Sequence, residues 1–356
     1  MKKSILYVLA GLLFLASCQD MYLPPKNTLT DEDLMSSEAG LSIYMARMYS
    51  QMPWEDFKYM AQWGLPRRSS WLGCLGVEGT GEAVNRDGVT TAFRGEDDPW
   101  WGSSYSLIRD ANKLIEGLPA YKDNYSSEAV YNDYIGQAYF VRAYSYYQMA
   151  RRYGGVPLVT EVIQYPAESD KLERYRASEE DTWNQILADF DKAAELMQPK
   201  SALRGYANKY VALAFKAEAM LYAGSVAKYN STVSGNLTGI GSKSGNRVIG
   251  FGDNAQELSA EWFAEAYKAA REVMTEGGYS LYKKSWAAGD KTAQYRNMVD
   301  MWSDLASPEN ILVREYEYPT LAHGLDAYSS PFLWHSPLAG GTCPTLDFVE
   351  LFDGLE

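Results

Sequence analysis

Apolar residues recur at the 3.6-residue period of a buried helix face along most of the chain, and this repetition restricts the fold to a packed set of helices. Over residues 127–152, Tyr131, Ile135, Ala138, Tyr139, Arg142, Tyr146 and Met149 share one face, and Gly154-Gly155 with Pro157 end the run. A shorter helix begins at Trp101, carries Tyr105, Ile108, Asn112 and Ile115, and stops at Gly117 and Pro119. Ser178-Glu179-Glu180-Asp181 reads as a capping box. The helix it opens turns Trp183, Ile186, Leu187, Phe190, Ala194 and Met197 inward and is closed by Pro199. Its partner, over 208–228, presents Leu213, Ala217, Met220, Leu221 and Gly224, and a further helix over 261–276 presents Trp262, Ala266, Ala269, Ala270 and Val273. Near the start, residues 30–52 place Leu41, Tyr44, Met45, Met48, Tyr49 and Met52 on one face before Pro53.

The expected class is therefore all-α for the most part, with long irregular loops and a few short strands. Helix pairs with Trp or Tyr, Ala and a closing Pro in this order are similar to tetratricopeptide repeats. The spacing is irregular, so TPR-like hairpins over about 101–229 and 259–276 are expected rather than a regular solenoid.

Three stretches lose the helical period. Residues 54–99 carry Trp54, Trp63 and Trp71 among eight Gly or Pro positions from Gly64 to Gly95, and a loop of that length in a compact domain is a candidate ligand surface. Residues 229–253, rich in Ser, Gly, Asn and Thr, read as an exposed loop or flap. Beyond 280, Trp286, Tyr295, Trp302, Tyr316, Tyr318, Tyr328, Trp334 and His335 occur among Gly and Pro, and Ile311-Leu312-Val313 is a short strand candidate.

The N-terminus has the order of an export signal: Met1-Lys2-Lys3, an apolar run from Ile5 to Ala16 too short to span a bilayer, then Leu15-Ala16-Ser17-Cys18. The cysteine in that place resembles the lipobox of bacterial lipoproteins, which implies acylation of Cys18. The domain expectation is a signal peptide over 1–17, a lipid-anchored tether over 18–30, and one helical domain over 31–356. Asp353-Gly354 begins a turn close to the end, and a C-terminal continuation is expected. Cys74 and Cys343 are expected to remain unpaired, because a core of this size does not need a disulfide.

Little in the sequence suggests catalysis. Two histidines, three cysteines and the absence of H-E-x-x-H, C-x-x-C, G-x-S-x-G and Walker-type runs leave few places for a metal centre or a nucleophile. Gly76-Val77-Glu78-Gly79-Thr80-Gly81 lacks the flanking strand and helix of a dinucleotide site. Glu179-Glu180 is better placed as the acidic start of a helix than as a catalytic pair. With a net charge of −13, the chain is poorly suited to nucleic acid. No cofactor is expected, and calcium, though compatible, has no ligand motif. What remains is 28 Tyr and 10 Trp, rings that lie at a wet surface with an apolar face. Sugar C–H faces stack on such rings, and Arg67, Arg68, Asn85, Arg86 and Asp87 could meet sugar hydroxyls. Trp183 and Trp262 are expected in the core, whereas Trp71 and Trp334 stand in Gly and Pro contexts that suit either role.

The run Gly136-Gln137-Ala138-Tyr139-Phe140-Val141-Arg142-Ala143-Tyr144, continuing to Tyr153-Gly154-Gly155-Val156-Pro157-Leu158, resembles the signature of the SusD/RagB family of outer-membrane nutrient-binding lipoproteins. Trp101 to Asn112, Glu309-Asn310-Ile311, and Pro344-Thr345 through Phe352-Asp353-Gly354 resemble further family motifs in the family's order. In physical terms, Ala138 and Ala143 permit close helix approach, Arg142 is expected to pair inside the bundle, and Gly154-Gly155 to cap it.

The resemblance implies a SusD-like, lipid-anchored, non-enzymatic protein on the outer face of the outer membrane. It would capture glycan, or peptide as in some members, for a SusC-like TonB-dependent transporter docked on the TPR-like face. A scaffold lipoprotein with no ligand of its own is the alternative. The implied ligand region is the neighbourhood of Trp71 and the stretch from Tyr318 to His335. The candidate ligand residues are Trp71, Asn85, Arg86, Tyr318, Tyr328, Trp334 and His335.

Overall fold

The computed structural model describes residues 29–52, 54, 59–60, 65–66, 81–85, 99–201, 205–230, 232, 237–315 and 342–351. The helices are α1 (Asp31–Met35), α2 (Glu38–Gln51), α3 (Pro99–Gly117), α4 (Glu128–Tyr153), α5 (Glu179–Leu196), α6 (Lys209–Tyr229), α7 (Ala255–Glu276), α8 (Lys291–Ser303) and α9 (Leu346–Val349). Short strands β1 (Tyr59–Met60), β2 (Leu65–Pro66), β3 (Ala83–Asn85), β4 (Gly239–Ile240), β5 (Arg247–Ile249) and β6 (Thr342–Pro344) form three two-stranded antiparallel ladders, β1-β2, β3-β6 and β4-β5. The molecule is thus mostly helical, as the periodicity requires.

Helix starts follow the caps written in the sequence. Ser127, Ser178 and Asn208 each accept backbone N–H bonds at the first turns of α4, α5 and α6. The expected single helix over 30–52 is instead two, because Thr30 forms a capping box with Asp33 and Ser37 then caps a second helix. A Cβ on Gly40 would lie 2.6 Å from the Leu34 carbonyl oxygen, so only glycine permits that corner. Helix α7 begins at Ala255, earlier than expected, on Asn254, which makes no side-chain cap. Helix α8 was not expected at all, and Ile311 to Val313 forms no strand.

Helices α3 to α7 pack each on the next, through α3–α4, α4–α5, α5–α6 and α6–α7 contacts, giving TPR-like antiparallel hairpins. Residues from Ile135 to Ala150 on α4 are all buried except Tyr139, so α4 is enclosed on all sides rather than on one face. Trp183 and Trp262 are fully buried, as expected, and one continuous core runs from Met35 to Val273.

Two polar ties cross this core. Arg142 is 5% exposed and donates through Nε and Nη2 to both oxygens of Asp189 at 2.8 and 2.7 Å, and through Nη1 to Asn112 Oδ1 at 2.7 Å. Asn112 in turn donates to the carbonyls of Val159 and Glu161, so α3, α4, α5 and the 156–162 segment meet at one guanidinium. Burial pushes the Asp189 carboxyl up, and its bonds from Arg142 oppose that. Lys216 is 3% exposed and joins α6 to Asp191 on α5 and Glu265 on α7, at 2.6 and 2.5 Å.

Where it is described, the expected exposed loop or flap over 229–253 is a loop with much exposed surface, tied by its backbone to the helices. The Val248 carbonyl accepts from Gly155 N, Glu179 Oε2 accepts from Gly250 N at 2.6 Å, and Asn230 Oδ1 accepts from Phe251 N. Val248 and Phe251 are buried. Gly154 has φ +70°, and a Cβ on Gly155 would stand 2.2 Å from the Ala177 carbonyl, so the Gly-Gly pair lets three segments converge. Helix α8 differs from the rest: Tyr295, Met298, Val299 and Trp302 form an exposed apolar stripe, and Asn297 is its one buried residue.

Asp189→Ala strands a buried guanidinium and is expected to cost about 3–5 kcal/mol in urea unfolding. The double replacement Arg142→Met, Asp189→Leu should recover most of that loss, because no buried charge is left unpaired.

Candidate functional site

Among the expected ligand residues, Trp71, Arg86, Tyr318, Tyr328, Trp334 and His335 lie outside the described residues, as do the lipid-anchor candidate Cys18 and Cys74. Asn85 is described through its backbone, at the end of β3 opposite Thr342 of β6. The register Ala83↔Pro344, Val84↔Cys343, Asn85↔Thr342 joins the two aromatic-rich irregular stretches, which are far apart in sequence. Because the ladder is antiparallel, the chain after Asn85 and the chain before Thr342 leave it at the same end. The first continues through Arg86 and the second arrives from Trp334 and His335. Thr345 N adds a bond to the Glu82 carbonyl at 2.9 Å and caps α9 by accepting from Phe348 N. This ladder pairs backbone from the first irregular stretch with backbone from the second.

The stretch that follows β3 enters α3 at Pro99, where α3 begins beside the end of α4. Trp101 is 36% exposed there, with its ring 5.2 Å from Tyr153 in an edge-on arrangement and 5.4 Å from Tyr105. Tyr105 donates to the Pro157 carbonyl at 2.7 Å, and burial pushes its hydroxyl pKa up, so it is a neutral donor. Arg176 donates to the Gly155 and Tyr153 carbonyls, and Asn246 of the β4-β5 hairpin donates to the Arg176 carbonyl. The end of α4 is thereby held rigid.

Three polar side-chain atoms on α3 and α4 are buried with no hydrogen bond: Ser104 Oγ, Gln148 Nε2 and Tyr153 OH. Gln148 Oε1, in contrast, accepts from Arg151 and Arg152 at 2.7 and 2.8 Å, which fixes the amide's orientation. Such unpaired buried atoms are uncommon in a packed helical body. Sequence reasoning placed Trp101 and Tyr153 in fold motifs and did not assign them to a ligand surface. The available signal was a second Trp, Trp100, beside Trp101 at the end of the irregular stretch.

The rings, amides and hydroxyls at this end of α3 and α4 offer no paired acid and base. Among the described residues no group of three or more His, Cys, Asp or Glu could hold a metal ion. No described helix is long and apolar enough to cross a membrane.

Residues 76–221 match the SusD-like family described as starch-binding and associating with the outer membrane. SusD-like protein P2 of Formosa agariphila is 27% identical over 238 residues, covering 64% of this chain and 45% of that protein. SusD-like protein P38 of the same organism is 26% identical over 220 residues, covering 60% and 41%. The chain thus spans under half the length of these relatives. Among solved structures, a SusD-like carbohydrate binding protein from Bacteroides fragilis superposes with a TM-score of 0.54 at 19% identity, covering 83% of this chain and 50% of that one. A SusD superfamily protein from Bacteroides vulgatus gives 0.57 at 14% identity, covering 88% and 62%. These two likenesses establish the fold.

Tyr153→Phe is expected to leave the unliganded stability unchanged or raise it by up to about 1 kcal/mol, because a buried hydroxyl without a partner is a net cost. A urea midpoint that falls would show that the hydroxyl is bonded in solution.

Proposed function

We propose that the chain is a SusD-like protein acting as a cell-surface glycan-capture lipoprotein, a reading supported by the family match over residues 76–221. It takes up oligo- or polysaccharide at the outer membrane and passes it to a SusC-like TonB-dependent transporter, with no chemistry of its own. The observation that supports the glycan reading is the β3-β6 ladder, which pairs backbone from two stretches whose sequences are rich in Trp and Tyr. Their rings stack on sugar C–H faces while Asn and Arg meet the hydroxyls. The exposed ring of Trp101, at the start of α3, adds one aromatic face on the helices.

Anchoring through Cys18 follows from the lipobox-like start, with residues 18–30 as tether between lipid and body. Docking of the transporter on the TPR-like helices leaves the irregular side open to ligand. Peptide capture is the runner-up within the family, and aromatic faces would also receive apolar peptide side chains.

Calorimetric titration against plant, host and microbial polysaccharides, with peptide mixtures alongside, tests the reading. Saturable binding of a glycan without release of product is expected. Trp71→Ala and Trp334→Ala should each weaken it about tenfold or more, equivalent to about 1.4 kcal/mol, with thermal stability kept. Loss of several kcal/mol of stability in either variant would instead make that ring a core residue. Binding of peptides alone would transfer the site to the runner-up.

A further inference from the structure

A cleft of about 150 Å³ lies between α2, α4 and the connection from α5 to α6. Met45, Val130, Tyr134 and Tyr206 form its walls, and Asp133 and Gln137 stand in it. It is smaller than the usual pocket for a drug-sized ligand, roughly 300–1,000 Å³, and matches the size of one side chain.

The polar part of the cleft is set in place from behind. Ala207 N donates to the Tyr49 hydroxyl at 3.0 Å, and Tyr49 donates to Gln137 Oε1 at 2.5 Å. The Gln137 amide is thereby turned so that its Nε2 donates to Asp133 Oδ2 at 3.1 Å. Gln198 N donates to Asp133 Oδ1 at 2.8 Å. Both donors to Asp133 are neutral, and about half of the four acceptor positions of a carboxylate are left over. No described cation forms an ion pair with Asp133; Lys200 lines the cleft without doing so. Burial accordingly pushes the Asp133 carboxyl up, with the two hydrogen bonds only partly opposing it.

A partly desolvated carboxylate without a countercharge among the described residues, in a side-chain-sized cleft with two tyrosine rings, has a definite complement. An alkyl stem would lie along Met45, Val130 and the rings, and its cationic head would meet both the carboxylate and the ring faces. A sugar fits less well, because it needs donors and acceptors around its whole edge and here they are concentrated at Asp133. The net charge of −13 draws cationic partners towards the surface. We propose that the cleft beside Asp133 is a socket for a lysine or arginine side chain presented by a partner protein. This assignment is independent of the glycan site and stands or falls apart from it.

The test is an NMR titration of the protein with the acetylated methylamides of lysine, arginine and norleucine, and with glucose. Saturable shifts at Tyr134 and Tyr206 are expected for the two cations, weakening as salt is added. Norleucine, which keeps the alkyl stem without the charge, should bind about tenfold more weakly or worse, the loss of one charge pair. Asp133→Asn should lose the cation to a similar extent. Ser42→Phe, which narrows the mouth and keeps the carboxylate, should do the same and gives the readout if Asp133→Asn does not fold. Equal binding of norleucine, binding of glucose in place of the cations, or no shift at these rings with any probe would each overturn the proposal.

Discussion

The bidentate pair of Arg142 with Asp189 is the interaction on which the helical body depends. A buried ion pair adds little net stability over a well-packed apolar pair, because desolvation consumes most of the Coulomb gain. Its contribution is to register. Asn112 accepts from the same guanidinium and donates to the Val159 and Glu161 carbonyls, so any slip of α3 or α5 along α4 would leave a buried charge or carbonyl unpaired. Apolar packing alone would tolerate such a slip at lower cost. Lys216, between Asp191 and Glu265, repeats the device one helix further along.

A second junction fixes where the helices end. Glu179 is buried at the first turn of α5, and its carboxylate accepts from Gly250 N and from the Trp183 indole. One acidic side chain thereby serves the start of a helix, a core tryptophan and the β4-β5 hairpin together. Gly154 and Gly155 admit the Val248 backbone, so the end of α4 has a single shape. That rigidity reaches Tyr153 and, through its ring, Trp101.

Much of this order was legible from residues alone. The cap at Ser178, the approximate helix starts at 127 and 208, the buried Trp183 and Trp262, and the inward Arg142 each follow from local pattern and burial preference. Other features depend on contacts that no local pattern encodes. The polar residues Gln137, Ser145 and Gln148 made α4 read as one-faced, and only the helices packed around it explain their burial. The segment after Tyr229 read as a flap because its Ser, Gly and Asn are surface types, whereas its backbone is bonded to Glu179 and Gly155. Helix α8 was missed because its apolar residues, few and interrupted by charge, face outward. In the irregular stretches, the types of residue were readable but the pairing of their backbones was not: the β3-β6 register joins segments with no shared periodicity.

The attachment of α8 sets it apart energetically. Asn297, its one buried side chain, donates to the Tyr282 carbonyl at 2.9 Å and accepts from Ser285 N at 3.1 Å, while Tyr295, Met298 and Trp302 face outward. Further bonds of α8, Gln294 to the Ala287 carbonyl and Ser285 to Asp300, also go to the short segment before it, and an element with so little buried apolar contact opens locally at a small fraction of the global unfolding free energy. Amide protons of α4 exchange with solvent only when the whole body opens, whereas those of α8 can exchange while it stays closed. The described helices therefore have a graded rather than uniform resistance to opening, lower at α8 than at α4.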